Sequence, residues 1–338
     1  MSAPTYDTIV ASPSGGWLCQ QHGTYRLWWQ LAATADGWIA EIERQALDAV
    51  PAAVLASAPA VALERSGATA TVTLAAGRSS WQLAATDGWP QPTPPAVEGA
   101  WADGRLLSAS WKPVLACMST DRSRYAMCGL EVSAGNGQLQ LTSTDGYRLS
   151  VARSPLPADA DVADGSGVLP ADAARWLAKQ RGWRWRQTST GFEAASDGWR
   201  LAAEAVPGYP DYRRILAAAG NGIGRCTLAA DALAAAAKTL TVGKPPHRLR
   251  LDWGNGQLLL TGRGEAPARQ AQPTAAATLA AATDGAAATL LVDPDLLRPM
   301  LAALGKTECT MHYVGPHQPL SVTAGSWTGV LMVCRIDD

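Results

Sequence analysis

Five of the chain's Asp-Gly pairs, those at Asp36, Asp87, Asp145, Asp197 and Asp284, are the residues whose type and recurrence most suggest chemistry, because repeated carboxylates can serve as general acids and bases. Each follows an Ala, Ser or Thr, and four of the five precede Trp or Tyr. In that setting Asp-Gly closes a turn between strands with no catalytic role, and turn chemistry is the better account. The four histidines, His22, His247, His312 and His317, are dispersed along the chain. Cys19, Cys117, Cys128, Cys226, Cys309 and Cys334 show neither C-x-x-C nor His-paired zinc spacing, so reduced and mostly buried thiols are expected. No G-x-S-x-G, H-E-x-x-H, P-loop or G-x-G-x-x-G motif occurs. The sequence therefore nominates no catalytic residue, no metal ligand and no cofactor, and the chain reads as a non-enzyme. Trp183-Arg184-Trp185-Arg186 alternates aromatic and cationic side chains, as a stacking platform for single strands would. A half-buried strand with Trp inward and Arg outward explains it better, since with 14 Trp and 1 Phe the core must use Trp.

The elements that would position any site come from composition and repetition. The chain has 338 residues with 28 Lys+Arg against 29 Asp+Glu, room for two or three domains and too balanced a charge for a protein that coats nucleic acid over its whole surface. A local basic patch is still allowed. Apolar residues come in short runs, none of membrane-spanning length. Met1 to Gly15 has no basic region followed by an apolar core, so a cytoplasmic location is expected.

Gly135-Asn136-Gly137-Gln138-Leu139-Gln140-Leu141-Thr142 returns as Gly254-Asn255-Gly256-Gln257-Leu258-Leu259-Leu260-Thr261 with seven of eight positions matching, 254 − 135 = 119 residues on. Val50-Pro51-Ala52 answers Leu169-Pro170-Ala171, with Val292-Asp293-Pro294 as the counterpart in the last third, and Trp89-Pro90 answers Tyr209-Pro210. Repeats of domain size follow, slightly under three copies, with the front of the first copy shortened or remodelled. Asn-Gly between alternating apolar residues predicts a hairpin, with Gly135 to Leu141 as one arm. Pro170 to Gln180, Leu228 to Leu240 and Pro294 to Leu304 are expected helices, with Asp172, Asp231 and Asp293 as cap candidates. A further helix is expected to start after Ser110, with Pro113 in its first turn. Each repeat is thus α+β, antiparallel strands covering helices on one face, with domains at 1–100, 101–217 and 218–338.

Three stretches, Ser143-Thr144-Asp145-Gly146-Tyr147-Arg148-Leu149-Ser150-Val151, Tyr209-Pro210-Asp211-Tyr212-Arg213-Arg214-Ile215-Leu216 and Val330-Leu331-Met332-Val333-Cys334-Arg335-Ile336, together resemble the bacterial DNA polymerase III β subunit, the sliding clamp, over about residues 46 to 338. The trimmed front suits a phage or mobile-element version. The resemblance implies a DNA-clamp fold, three tandem like domains with sheets outside and helices lining a ring, assembled as a head-to-tail homodimer around duplex DNA. It also implies a clamp loader that opens the ring, and DNA polymerase and other partners that hold it by a short peptide motif. No membrane partner is implied.

Position by position, the resemblance places peptide binding on Met127, Thr144, Gly146, Tyr147, Arg148, Leu149, Pro210, Arg214, Ile215, Val330, Leu331, Met332, Val333, Cys334 and Arg335, with His317 and Pro319 beside them. DNA contact falls on Lys112, Arg122, Arg124, Tyr125, Arg175, Lys179, Lys238 and Arg298, and subunit contact on Trp81, Leu83 and Leu240. A pore that slides should attract phosphates without reading bases, which suits cations on helices. The chain departs from the family in having Tyr147 where His is usual, Val333-Cys334 where Pro-Met is usual, and Asp337-Asp338 beyond the usual end, which add negative charge near the pocket mouth. The alternative from another class is a clamp-like interaction protein that binds such peptides without forming a ring on DNA.

Overall fold

The structure is a computed structural model; it describes the chain apart from residues 1–5, 12–14, 23–24, 35–37, 67–68, 88–93, 97–99, 109, 159, 161, 220–221, 242–243, 266–273 and 336–338. The chain divides into two compact units, the first made of Met1–Gly104, Asp159–Ala163 and Arg175–Ala205, the second of Arg105–Ala158, Asp164–Ala174 and Val206–Asp338. Among the described residues every strand pairing is antiparallel, and the sheets and helices have the mixed α+β character that the repeats imply.

The first unit is built on an eleven-stranded sheet. Its edge hairpin, Ala60–Ser66 with Thr69–Ala76, is followed in space by Ser79–Asp87, Trp38–Glu43, Tyr6–Ala11, Gly16–His22 and Tyr25–Leu31. Trp199–Glu204, Gly191–Ser196, Arg184–Gln187 and Ala102–Asp103 complete it. The front of the chain, too rich in Pro and Gly for a helix, folds as three successive strands, and Tyr25–Leu31 pairs with Trp199–Glu204. Alternation puts Ile9, Leu18, Leu27, Trp29 and Ile42 in the core, each nearly inaccessible. The Trp183–Arg186 stretch resolves as expected for a strand. Trp183 and Trp185 are buried, and Arg186 lies over the Trp101 ring at 4.4 Å while pairing with Glu193, so neither Trp is open to a nucleobase.

The second unit has a nine-stranded sheet in the order Gly165–Pro170, Gly129–Gly135, Gln138–Thr144, Arg148–Pro155, Trp327–Leu331, Leu320–Ala324, Glu308–Tyr313, Gly224–Ala229, Ala282–Gly285. A four-stranded sheet runs Thr274–Ala280, Gln257–Glu265, Lys244–Gly254, Ala288–Val292. Both repeated Asn-Gly pairs form the predicted turn: Asn136 and Gly137 have φ of 53° and 71°, Asn255 and Gly256 of 52° and 77°, the left-handed values that match the twist of a tight hairpin. Helix Pro294–Leu304 has the predicted bounds, and Asp293 caps it by accepting from the Asp295 N–H at 2.8 Å. It packs against Ala230–Thr239 and Trp111–Leu115, with Leu297, Met300 and Leu301 fully buried.

Two cap expectations change. Asp231 and Asp172 lie inside the first turns of Ala230–Thr239 and Ala171–Leu177, because a strand runs straight into each helix and moves its start forward. Ser110 does occupy the cap position of Trp111–Leu115, but its side chain makes no capping bond. Among the Asp-Gly pairs, Asp197-Gly198 joins two neighbouring strands. Asp145 holds its own turn by accepting from the Tyr147 and Arg148 N–H groups at 3.0 Å each. Asp284 differs, sitting within strand Ala282–Gly285 opposite Arg225. Asp36 and the turn after Asp87 lie outside the described residues. All six cysteines are free, four of them buried, and burial pushes the Cys117 thiol up to about 12.

Candidate functional site

Thr144, Leu149 and Val330 are opposed across adjacent strands of the nine-stranded sheet and so share one face, the floor of a cleft of about 190 Å³. One wall is the turn Asp145–Arg148, where Gly146 has φ of 90° and a Cβ would meet Arg124 Nη1 at 2.9 Å. Met127, ending the 3₁₀ turn Arg122–Met127, and Met332, just past strand Trp327–Leu331, close two more sides. The last wall is Pro210, Asp211, Tyr212 and Ile215, from the segment leading into helix Arg213–Ala219.

The cleft holds half of the large apolar side chains that stand exposed among the described residues: Tyr147 at 51%, Met332 at 47% and Ile215 at 42%, the others being Tyr125, Ile223 and Leu259. Apolar groups left open in a concavity have a lower free energy when covered by apolar side chains of a partner. Polar groups are at the rim and mostly committed. Arg148 pairs with Asp145 at 2.8 Å and donates to the Leu296 carbonyl at 2.8 Å, tying the turn to helix Pro294–Leu304. Arg124 sits over the Tyr147 ring at 5.1 Å and donates to the Asp145 carbonyl at 2.9 Å. The hydrogen bond to Tyr147 holds the Arg124 guanidinium even more firmly protonated than usual. Tyr212 is held in its neutral form, its pKa pushed up to about 12 by burial first and by its bond to Glu131 second.

Ten of the residues assigned to peptide binding line the cleft: Met127, Thr144, Gly146, Tyr147, Arg148, Leu149, Pro210, Ile215, Val330 and Met332. The others stand outside its lining. Leu331 alternates to the opposite face of its strand and is fully buried there. Cys334 bridges to Leu291 through its backbone, N–H to carbonyl at 2.7 Å. Arg214 and Arg335 are exposed, Val333 is half-buried, and His317 and Pro319 belong to the loop before strand Leu320–Ala324. Asp211 and Tyr212 line the cleft without having been assigned to it, although they lie between Pro210 and Ile215 in one of the stretches that carried the resemblance. Asp337 and Asp338 lie outside the described residues.

Lys112, Lys238 and Arg298 are on three helices of the second unit, the last of them within 3.8 Å of Asp295. Lys112 and Lys238 are exposed, as is Lys179 just beyond helix Ala171–Leu177, on which Arg175 is half-buried. Arg122 and Tyr125 are exposed on the 3₁₀ turn that also carries Arg124. Of the residues assigned to subunit contact, Trp81 is partly open on strand Ser79–Asp87, third in from the sheet edge, whereas Leu83 and Leu240 are 6% and 3% exposed within their own units. Among the described residues no group of three or more His, Cys, Asp or Glu could hold a metal ion, and no helix is long and apolar enough to cross a membrane.

No protein-family model matches this chain, and no curated protein matches its sequence. Its structure matches solved chains over nearly their whole length and its own, and the fold is that of DNA polymerase III β subunits, the clamp fold. The β subunit of Thermotoga maritima superposes with a TM-score of 0.81 at 14% identity, covering 98% of this chain and 91% of that one. The β subunit of Streptococcus pyogenes gives 0.78 at 17%, with 98% and 92% covered, and the β sliding clamp of C. crescentus 0.79 at 18%, with 98% and 91%.

Proposed function

We propose that this protein is a sliding clamp, a non-enzymatic processivity factor that encircles duplex DNA and tethers DNA polymerase, its loader and other partners through a short peptide motif. The observation that carries the reading is the cleft: on a clamp fold, ten residues from four separate parts of the chain converge on one apolar concavity open to the apolar side chains of a peptide. Exposed cations on helices, Lys112 and Lys238, with Lys179 just past one and Arg122 on its turn, suit a surface that follows phosphates without reading bases. Ring closure between two copies would use strands at sheet edges, and among the described residues Ala60–Ser66 and Thr274–Ala280 are edge strands. In this reading three like domains, 1–100, 101–217 and 218–338, make up each subunit.

The test has three arms. The chain is expected to sediment as a dimer at micromolar concentration, to be retained on a nicked DNA circle until the circle is cut, and to bind a labelled hexapeptide ending in Leu-Phe near micromolar, about 8 kcal/mol. Peptide binding by a monomer that is never retained on circles would replace the clamp with an interaction protein of the same fold. Trp81→Asp is the variant suited to testing closure, because Leu83 and Leu240 are core residues whose replacement would damage the fold first.

A further inference from the structure

The floor of the cleft belongs to a nine-stranded sheet, but the wall carrying Pro210 and Ile215 has little of its own to hold it. Residues 205–212 form neither helix nor strand, and helix Arg213–Ala219 buries only Ala219, with Leu216 partly covered. The apolar contact beneath them is one small cluster of Leu149, Val151, Tyr212, Ala219 and Val330, edged by Tyr209 and Leu216. A segment with so few apolar contacts opens at a lower free energy than the sheet beneath it.

The Tyr212 hydroxyl supplies the most extensive side-chain attachment; the Tyr209 hydroxyl adds a single bond to the Thr142 carbonyl at 3.2 Å, and the Val206 N–H anchors the start of the segment on the Val168 carbonyl at 3.1 Å. It donates to Glu131 Oε2 and accepts from Gln140 Nε2 at 2.8 Å and from Thr142 Oγ1 at 3.1 Å, which uses its one proton and both lone pairs. All three partners come from adjacent strands, Gly129–Gly135 and Gln138–Thr144, and Thr142 stands directly opposite Glu131. The Gln140 amide is oriented from behind, because Arg153 Nε donates to its Oε1 at 2.8 Å and thereby turns its NH₂ group toward Tyr212. Glu131 is 8% exposed, so without the phenol its carboxylate faces the underside of the wall with that donor lost. The wall would have to lift to admit water there.

We infer that Tyr212 is the positioning residue of the cleft: its hydroxyl, fixed by Glu131, Gln140 and Thr142, holds the wall that presents Pro210 and Ile215, and residues 206–219 undock as a unit when that hydroxyl is removed. This deepens the peptide-binding reading and rests on it. Tyr212→Phe keeps the ring packing and deletes only the attachment. Glu131→Gln keeps an acceptor for the phenol.

The experiment uses the full chain and reads two quantities, anisotropy of the labelled Leu-Phe hexapeptide and amide hydrogen exchange by mass spectrometry. Tyr212→Phe is expected to bind about tenfold more weakly, with faster exchange confined to 206–219, and Glu131→Gln to stay within about twofold of wild type in both. Wild-type behaviour of Tyr212→Phe overturns the inference. So does faster exchange across the whole sheet, which marks a general structural role, or a Glu131→Gln defect as large as that of Tyr212→Phe. If the wild type binds no peptide, the functional reading fails, and the exchange pattern of Tyr212→Phe still decides the attachment.

Discussion

Each unit buries a carboxylate in a network of side-chain hydrogen bonds, and the two networks are built differently. In the first unit Asp7, 1% exposed, pairs with Arg44 and accepts from Gln20 Nε2 at 3.3 Å, while Gln20 Oε1 accepts from Trp29 Nε1 at 2.6 Å. A cation answers the anion inside the sheet's own core. In the second unit Glu131 is met by the neutral Tyr212 phenol, at the place where a thin wall lies on the sheet. A buried ion pair loses several kcal/mol when one partner is removed, whereas a phenol–carboxylate bond is worth less and can be exchanged for water. The first arrangement suits a permanent fixture. The second suits a surface that adapts to what it binds.

That contrast breaks most visibly at Arg44. Arg44→Ala leaves Asp7 buried without its cation and is expected to cost about 3 kcal/mol in denaturant unfolding, with peptide affinity unchanged. An equal loss of peptide affinity would mean that the two networks are not separate.

Alkali should separate the networks by proton chemistry. The native state keeps Tyr212 neutral, with its pKa raised from 10 to about 12, so the stabilisation from its hydroxyl is fully present below pH 10 and is lost as pH rises through that window. Arg44 stays charged there, its pKa raised above the usual guanidinium value chiefly by the hydrogen bond to Asp7. Affinity for a capped peptide is expected to fall between about pH 10 and 12 in the wild type and to stay flat, at its lower value, in Tyr212→Phe. Parallel declines in the two proteins would assign the loss to other groups.

Met332→Ala tests the opposite side of the cleft and carries the smallest expected effect. Met332 is 47% exposed and so contributes little to folding, but as an anchor contact its truncation should cost on the order of 1–2 kcal/mol in peptide binding, with no change in unfolding. An unaltered titration would remove Met332 from the anchor.

Much of this was legible along the chain. The Asn-Gly pairs at 136 and 255, the helix Pro294–Leu304 with its Asp293 cap, and the inward Trp183 and Trp185 follow from preferences that act within a few residues: left-handed φ, a missing N–H in a first turn, side chains alternating along a strand. The same local rules misplaced Asp172 and Asp231, because the strand leading into each helix sets where the helix can start. The resemblance to clamps drew on residue identity in three stretches and selected most of the cleft.

Membership of the cleft was decided by pairing between distant parts of the chain. The register that sets Leu149 opposite Val330 is fixed by strands far apart in sequence, and Trp327 Nε1 donates to Ser150 Oγ at 2.7 Å across 177 positions of chain. A shift of one residue would turn Leu331 into the cleft and Val330 into the core, with both strands keeping the same composition. Nothing local could have revealed that Glu131, Gln140 and Thr142 meet the Tyr212 hydroxyl, since they are 81, 72 and 70 residues away from it. The sequence by itself determined the turns, the helices and the apolar faces, because those depend on neighbours along the chain. Only the tertiary structure decided which faces meet and which side chains remain exposed, because those depend on strand register and on the packing of one layer against another.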